Sequence, residues 1–212
     1  MIPALIVVRV GSSRLPNKCL LPFGDGNVLE HIIKRARHFS LEPIIATTVS
    51  PQDDVIIKVA ERQGCRSYRG SVDNIPERLR SACRVFNITE FKRIDADDVF
   101  FDIAEFKRID ADDAFFDPLA HAHRYIGDSS DKAENYRCPN KIRLTLDYIE
   151  DYWMLCTVLR CLGHFATGNQ IIVLFQRNPD LHKINWFRNE EWVENQRCEL
   201  SAQDTLALPS RT

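Results

Sequence analysis

The chain predicts an α/β protein in three layers, α/β/α, around a mostly parallel, doubly wound sheet. Two observations carry that expectation. Short apolar runs alternate with amphipathic helical stretches through the first half, the pattern of successive βαβ units. A basic, glycine-containing loop follows the first apolar run, where open α/β sheets bind their ligands. Pro3 to Val8 reads as a short strand buried on both faces, because no polar residue interrupts it. Val28 to Arg37 carries apolar residues at helical spacing with charges between them. Pro43 to Thr48 is a second buried strand ending in hydroxyls. Ser50-Pro51 opens a helix over Val55 to Gln63, with Asp53 and Asp54 in its first turn and Gly64 ending it. Cys65 to Tyr68 is a short strand, Arg69-Gly70-Ser71 a turn, and Pro76 to Phe86 a further helix.

Composition narrows the class. The 212 residues are 44% hydrophobic and 27% charged, with a formal net charge of -2, which suits one globular domain with a sizeable core. So balanced a charge argues against a broad nucleic-acid or membrane-binding face. The opening apolar run is too short for a signal peptide or membrane span, and no later run is long enough. A cytoplasmic location is the expectation. The 7 cysteines are odd in number and scattered, without a C-x-x-C pair, so reduced structural thiols are expected and a zinc site is not.

The loop Arg9-Val-Gly-Ser-Ser-Arg-Leu-Pro-Asn-Lys18 has the chemistry of a triphosphate cradle. Gly11 allows close backbone approach. Ser12 and Ser13 add hydroxyls and N–H groups for anionic oxygens. Arg14 and Lys18 supply positive charge. Neither common phosphate loop, G-x-x-x-x-G-K-[ST] or G-x-G-x-x-G, is present.

Taken whole, VRVGSSRLPNKCLLPFG resembles the N-terminal signature of the spore-coat polysaccharide cytidylyltransferases. These are relatives of the acylneuraminate and 3-deoxy-manno-octulosonate cytidylyltransferases. The resemblance rests on Arg9, Gly11, Ser12, Arg14, Leu15, Pro16 and Lys18, and implies the nucleotide-diphospho-sugar transferase fold. ATTVSPQDD and YRGSVDNIPERL resemble the next two family segments. By that resemblance Thr47, Ser71 and Arg78 join Arg9, Gly11, Ser12 and Ser13 as candidate nucleotide contacts. Thr47 could equally end a strand, Ser71 shape a turn, and Arg78 be a solvated helix residue.

Residues 89–103, TEFKRIDADDVFFDI, recur almost unchanged as residues 104–118. One tandem copy is a local duplication, not a solenoid. Each copy resembles the family's strand-plus-metal motif, so the ligand falls on Asp97 if copy one is the central strand and on Asp112 if copy two is. The spacing from Arg78 fits copy one, whereas the Asp117-Pro118 helix start fits copy two. Copy two would leave the site open, which for an active enzyme favours Asp112. Lys141 to Asp147 reads as a strand entering a helix, and the resemblance makes Asp147 the second metal-binding carboxylate. Aspartate also serves well as an N-cap, which is the plain alternative. Two carboxylates with phosphate oxygens and waters suit Mg2+.

The helix through Trp153, Leu155, Val158, Leu159 and Leu162 is core packing, and Asn169 to Asn178 is a further helix closed by Pro179. Residues 1–192 form the expected single domain, with 193–212 a polar, mobile tail. Between residues 118 and 142 the chain is shorter than the family, which carries a sugar-binding strand and a dimerising arm there. His121 and His123 lie in this segment, and their i, i+2 spacing disfavours a shared metal. The resemblance implies an enzyme that uses CTP and a sugar acceptor and releases pyrophosphate. A homodimer is left open, because the family's dimerising arm falls in the shortened segment. The short middle segment leaves open a truncated nucleotide-binding paralogue without transferase activity. Transfer of another nucleotide also remains open, since fold cannot choose the base.

Overall fold

The computed structural model describes residues 1–102, 109–110 and 141–206. Strands β1 (Ile2–Val7), β4 (Leu41–Thr48), β5 (Arg66–Gly70) and β6 (Glu90–Asp95) make a parallel sheet. A small hairpin, β2 (Pro22–Phe23) and β3 (Gly26–Asn27), follows the first loop, and β7 (Ile109–Asp110) pairs antiparallel with the start of β6. The sheet order is β5-β4-β1-β6-β7. The chain winds outward from β1 to β5, then crosses back to place β6 on the other side of β1. Reversal of direction opens a crevice between β1 and β6 at their C-terminal ends. The loop of Arg14 and Lys18 begins there.

The β1 side chains alternate between two cores, as the period of a strand requires. Ala4 and Ile6, with Val8 just past the strand, join the larger core with Ile45, Ile94 and the helices α1 (Val28–His38) and α2 (Asp54–Arg62). Helices α4 (Ile149–Leu162) and α5 (Gly168–Arg177) add Leu155, Val158, Ile171 and Phe175 to it. Leu5 and Val7 face the second core with Ile44, Ala46 and helix α3 (Ile75–Phe86). The sheet is therefore covered on both faces, and the α/β expectation holds. Helix starts are capped locally. Asn27 accepts from the Glu30 N–H while Glu30 accepts from the Asn27 N–H, a reciprocal capping box. Asn74 accepts from the Glu77 N–H at the head of α3.

Three expectations change. Copy one of the repeat, not copy two, forms the central strand, because β6 carries the parallel pairing to β1. Lys141 to Asp147 is not a strand. A single antiparallel bridge joins Thr145 to Asp98, since its partner is a tight turn that offers no further ladder. Helix α6 (Asn189–Leu206) crosses the boundary placed at residue 192, and its Trp192 is buried. The segments of residues 111–140 and 207–212, with His121 and His123, lie outside the described residues.

Helix α1 holds the segment that follows β6. Arg35, wholly buried, donates from Nε to the Phe101 carbonyl (2.8 Å), from Nη1 to the His164 carbonyl (3.0 Å) and from Nη2 to the Ala166 carbonyl (2.7 Å). His31 Nε2 lies 3.1 Å from the Val99 carbonyl, which only accepts, so Nε2 is the donor. His31 Nδ1 is then the acceptor for His164 Nδ1–H at 3.0 Å. Burial, and then the neighbouring His164, push the His31 pKa down to about 3. Cys19 and Cys83 are likewise pushed up to about 11, chiefly by burial, which keeps both thiols protonated and unreactive.

Two predictions follow from this packing. Ile6→Ala opens a cavity in the central strand and should cost about 2–5 kcal/mol in urea unfolding. Folded His31 binds its proton far more weakly than unfolded histidine, whose pKa is near 6.5. Its contribution to stability is thus complete above that value and is lost as pH falls toward 3. Relative to His31→Gln, the wild type should lose about 1 kcal/mol per pH unit in that window, read from urea midpoints.

Candidate active site

The crevice is built by three pieces of chain that converge at the C-terminal ends of β1 and β6. The loop after β1 folds back on itself, with the Asn17 N–H on the Val10 carbonyl and the Lys18 N–H on the Leu15 carbonyl. Ser12 Oγ accepts from the Leu15 N–H at 3.4 Å. The turn after β6 presents Asp97. The segment before α4 presents Asp147, and the Leu146 N–H donates to the Asp97 carbonyl at 2.9 Å, which sets the two aspartates side by side.

Their carboxylates meet one ammonium. Lys18 Nζ lies 3.2 Å from Asp97 Oδ2 and 3.1 Å from Asp147 Oδ1, and Arg14 Nη2 lies 3.0 Å from the same Asp147 oxygen. Asp147 is fully buried, and the Lys18 side chain is 14% exposed. Burial by itself would lower the Lys18 pKa, but Asp97 and Asp147 together more than reverse it, and the net shift is upward. Lys18 is therefore a charged ammonium in this arrangement.

The Asp147 turn is braced by Asp151, whose Oδ2 accepts from the Asp147 and Tyr148 N–H groups. Its Oδ1 accepts from Arg143 and from Asn185 Nδ2. Asp151 thus organises the start of α4. Burial pushes its pKa up, against the pull of Arg143. Across the turn, Trp192 Nε1–H donates to Asp147 Oδ2 at 2.8 Å.

The loop's other end is tied by Asp53. This buried carboxylate accepts from the Val10 N–H at 2.8 Å, from Thr47 Oγ1 at 3.0 Å, and from the Thr48 N–H and hydroxyl. Thr47, expected beside the nucleotide, is fully buried and holds the carboxylate that holds the loop. Ser71 Oγ accepts from the Asn74 N–H at 3.0 Å, shaping the turn into α3. Arg78 is buried, not solvated, with Nη1 on the Ala46 carbonyl at 3.4 Å. Burial, and then the like charge of Arg9, lower its pKa. A Cβ on Gly70 would lie 2.8 Å from Arg78 Cγ, so glycine makes the space this arginine occupies. Arg9, Gly11 and Ser13 are exposed at the loop surface, and a Cβ on Gly11 would meet open space.

The structure therefore brings Arg14, Lys18 and Asp147 together with Asp97. The favoured partner Asp112 depended on copy two forming the strand, and it lies outside the described residues. Asp53 and Trp192 were not legible as site residues. Asp53 reads as an ordinary first-turn acid, and Trp192 as the end of the domain before a polar tail. Among the described residues no cluster of three or more His, Cys, Asp or Glu side chains is poised for a metal, and no helix is long and apolar enough to cross a membrane. Two hard carboxylate oxygens converging on one cation are nonetheless a fitting donor pair for Mg2+, which takes its remaining ligands from phosphate and water.

Asp53→Asn places an amide where four donors point. It should cost about 1–3 kcal/mol in urea unfolding, since buried partners are left unpaired.

Known proteins extend this picture. The chain is 23% identical to the spore coat polysaccharide biosynthesis protein SpsF of Bacillus subtilis, across 83% of this chain and 94% of that protein. It is 31% identical to an uncharacterised protein of Methanocaldococcus jannaschii over 44% of this chain, a match spanning only 40% of the archaeal protein. The solved structure of a cytidylyltransferase from Leptospira borgpetersenii superposes with a TM-score of 0.67 at 22% identity, covering 85% of this chain and 95% of that one, and shares its fold. A cytidylyltransferase family model matches residues 3–109, which contain the β1 loop, Asp53, Arg78 and Asp97. With about half of its length matched, site loop and central strand included, this chain belongs to the cytidylyltransferase family.

Proposed function

We propose that the protein transfers CMP from CTP to a sugar acid or related sugar, with release of pyrophosphate, in the synthesis of a surface polysaccharide. The observation that carries this reading is the Lys18 ammonium held between Asp97 and Asp147 beside Arg14. Family membership supports nucleotidyl transfer, and the likeness to SpsF supports a polysaccharide product.

In this reading Lys18 and Arg14 exchange partners when the nucleotide arrives. They leave the Asp147 carboxylate for the triphosphate, where they offset charge on the departing pyrophosphate. Asp97 and Asp147, so released, would hold Mg2+. When bound, the ion supplies charge neutralisation on the phosphate oxygens. The exposed loop surface of Arg9, Gly11 and Ser13, with Ser12 beside it, would face the phosphates. The acceptor hydroxyl oxygen attacks the α-phosphorus as the bond to the bridging oxygen of the β-phosphate breaks. The hydroxyl proton passes to water, and the pyrophosphate carries the bonding electrons away. The protein's contribution is orientation and electrostatics, without a covalent intermediate.

Pyrophosphate release from CTP and Mg2+ with a panel of sugar acids tests the assignment. Lys18→Ala, Asp97→Asn and Asp147→Asn should each lower kcat by about a hundredfold or more, whereas Asp112→Asn should stay near wild type. Loss of activity in Asp112→Asn with retention in Asp97→Asn would return the metal to copy two. Tight CTP binding with no turnover on any acceptor would favour the nucleotide-binding paralogue.

A further inference from the structure

The Asp147 carboxylate is held at both oxygens, and the hold on the oxygen away from Lys18 comes from the C-terminal helix. Trp192, in the first turns of α6, is 1% exposed, and its indole N–H donates to Asp147 Oδ2 at 2.8 Å. Lys18 and Arg14 meet the other oxygen, Oδ1. An aspartate χ2 is a broad, two-fold torsion, so nothing intrinsic to the side chain chooses which oxygen faces the crevice.

We propose that Trp192 is a positioning residue for the reaction. Its indole N–H fixes the rotation of the Asp147 carboxylate, so that Oδ1 alone is turned toward the cation position shared with Asp97. This rests on the magnesium-dependent transfer proposed above. The indole nitrogen is a donor only and cannot ligate a cation, which suits it to orient a ligand without competing for the ion. Partners of this kind tune metal affinity because they set ligand direction. Mg2+ makes the constraint matter, since it tolerates little departure from octahedral geometry.

The helix is registered for this task by its neighbours. Asn195 Nδ2 donates to the Tyr148 hydroxyl at 2.8 Å, and Arg188 pairs with Glu150 at 3.0 Å. Both partners follow Asp147, Tyr148 at the cap of α4 and Glu150 in its first turn. Asp151 fixes the backbone of the same turn. Backbone and side chain of Asp147 are thus constrained from two separate parts of the chain. If Trp192 only filled the core, phenylalanine would serve as well, because the ring and not the N–H would matter.

The test uses the full chain. It has 3 tryptophans, so the indole N–H resonance missing from the Trp192→Phe spectrum is that of Trp192. In the wild type that resonance should move when Asp147→Asn is introduced and when CTP with Mn2+ or Mg2+ is added. Mn2+ titrated against the CTP-bound protein by water-proton relaxation should bind Trp192→Phe about tenfold more weakly than wild type. In turnover, kcat should fall while KM for CTP holds. An indole resonance indifferent to Asp147→Asn, or unchanged Mn2+ affinity in Trp192→Phe, overturns the proposal, and the resonance test needs no folded Trp192 variant beyond assignment. A wild type that binds Mn2+ with CTP but turns over no acceptor refutes the transfer reaction and leaves the Trp192 role standing. A wild type that binds no metal refutes both.

Discussion

The Lys18 ammonium between Asp97 and Asp147 is the interaction on which the rest of the structure depends. A fully buried carboxylate such as Asp147 survives only if its charge is compensated. Removing one partner from such a cluster is costly, about 3–5 kcal/mol, because the remaining charge is stranded in a poor solvent for it. The fold supplies the compensation from three distant parts of the chain. The loop after β1 brings Lys18 and Arg14, the turn after β6 brings Asp97, and the segment before α4 brings Asp147. They meet because β6 lies beside β1 at the point where the sheet reverses direction.

Around that centre, buried polar side chains act as ties and not as chemistry. Asp53 gathers donors from the loop after β1 and from β4. Asp151 gathers the N–H groups of the Asp147 turn. Arg35 gathers carbonyls from the chain after β6 and from the connection between α4 and α5. Each satisfies backbone groups that an irregular segment would otherwise leave unpaired. The consequence is a crevice whose walls are tied from several parts of the chain around its two cations. An arrangement of that kind suits a reaction in which the protein contributes positioning and charge.

Much of the fold was legible because it is local. The apolar run before Arg9, the alternation of strands and helices, and the caps at Asn27 and Asn74 depend on residues a few positions apart. The loop from Arg9 to Lys18 was legible for the same reason, since its charged and small residues lie in one stretch. Where contacts are long-range, sequence patterns misled. Two near-identical copies of the repeat cannot be told apart by their residues, and pairing with β1 fell to the copy that carries Asp97. Thr47 matched a nucleotide-binding segment, yet its hydroxyl faces inward to Asp53. The run from Lys141 to Asp147 has strand character but pairs with a turn, so it ends after one bridge.

By itself the sequence determined the class of fold, the cationic loop at the end of its first strand, and the family to which that loop belongs. These are set by short-range patterning and by residue types that need only their neighbours. The tertiary structure decided which aspartates share a cation, which threonine and aspartate anchor the loop, and that Trp192 reaches the site at all. Those choices join residues separated by tens of positions, as Trp192 and Asp147 are. They arise when packing the helices against the sheet forces particular buried charges and donors to find each other.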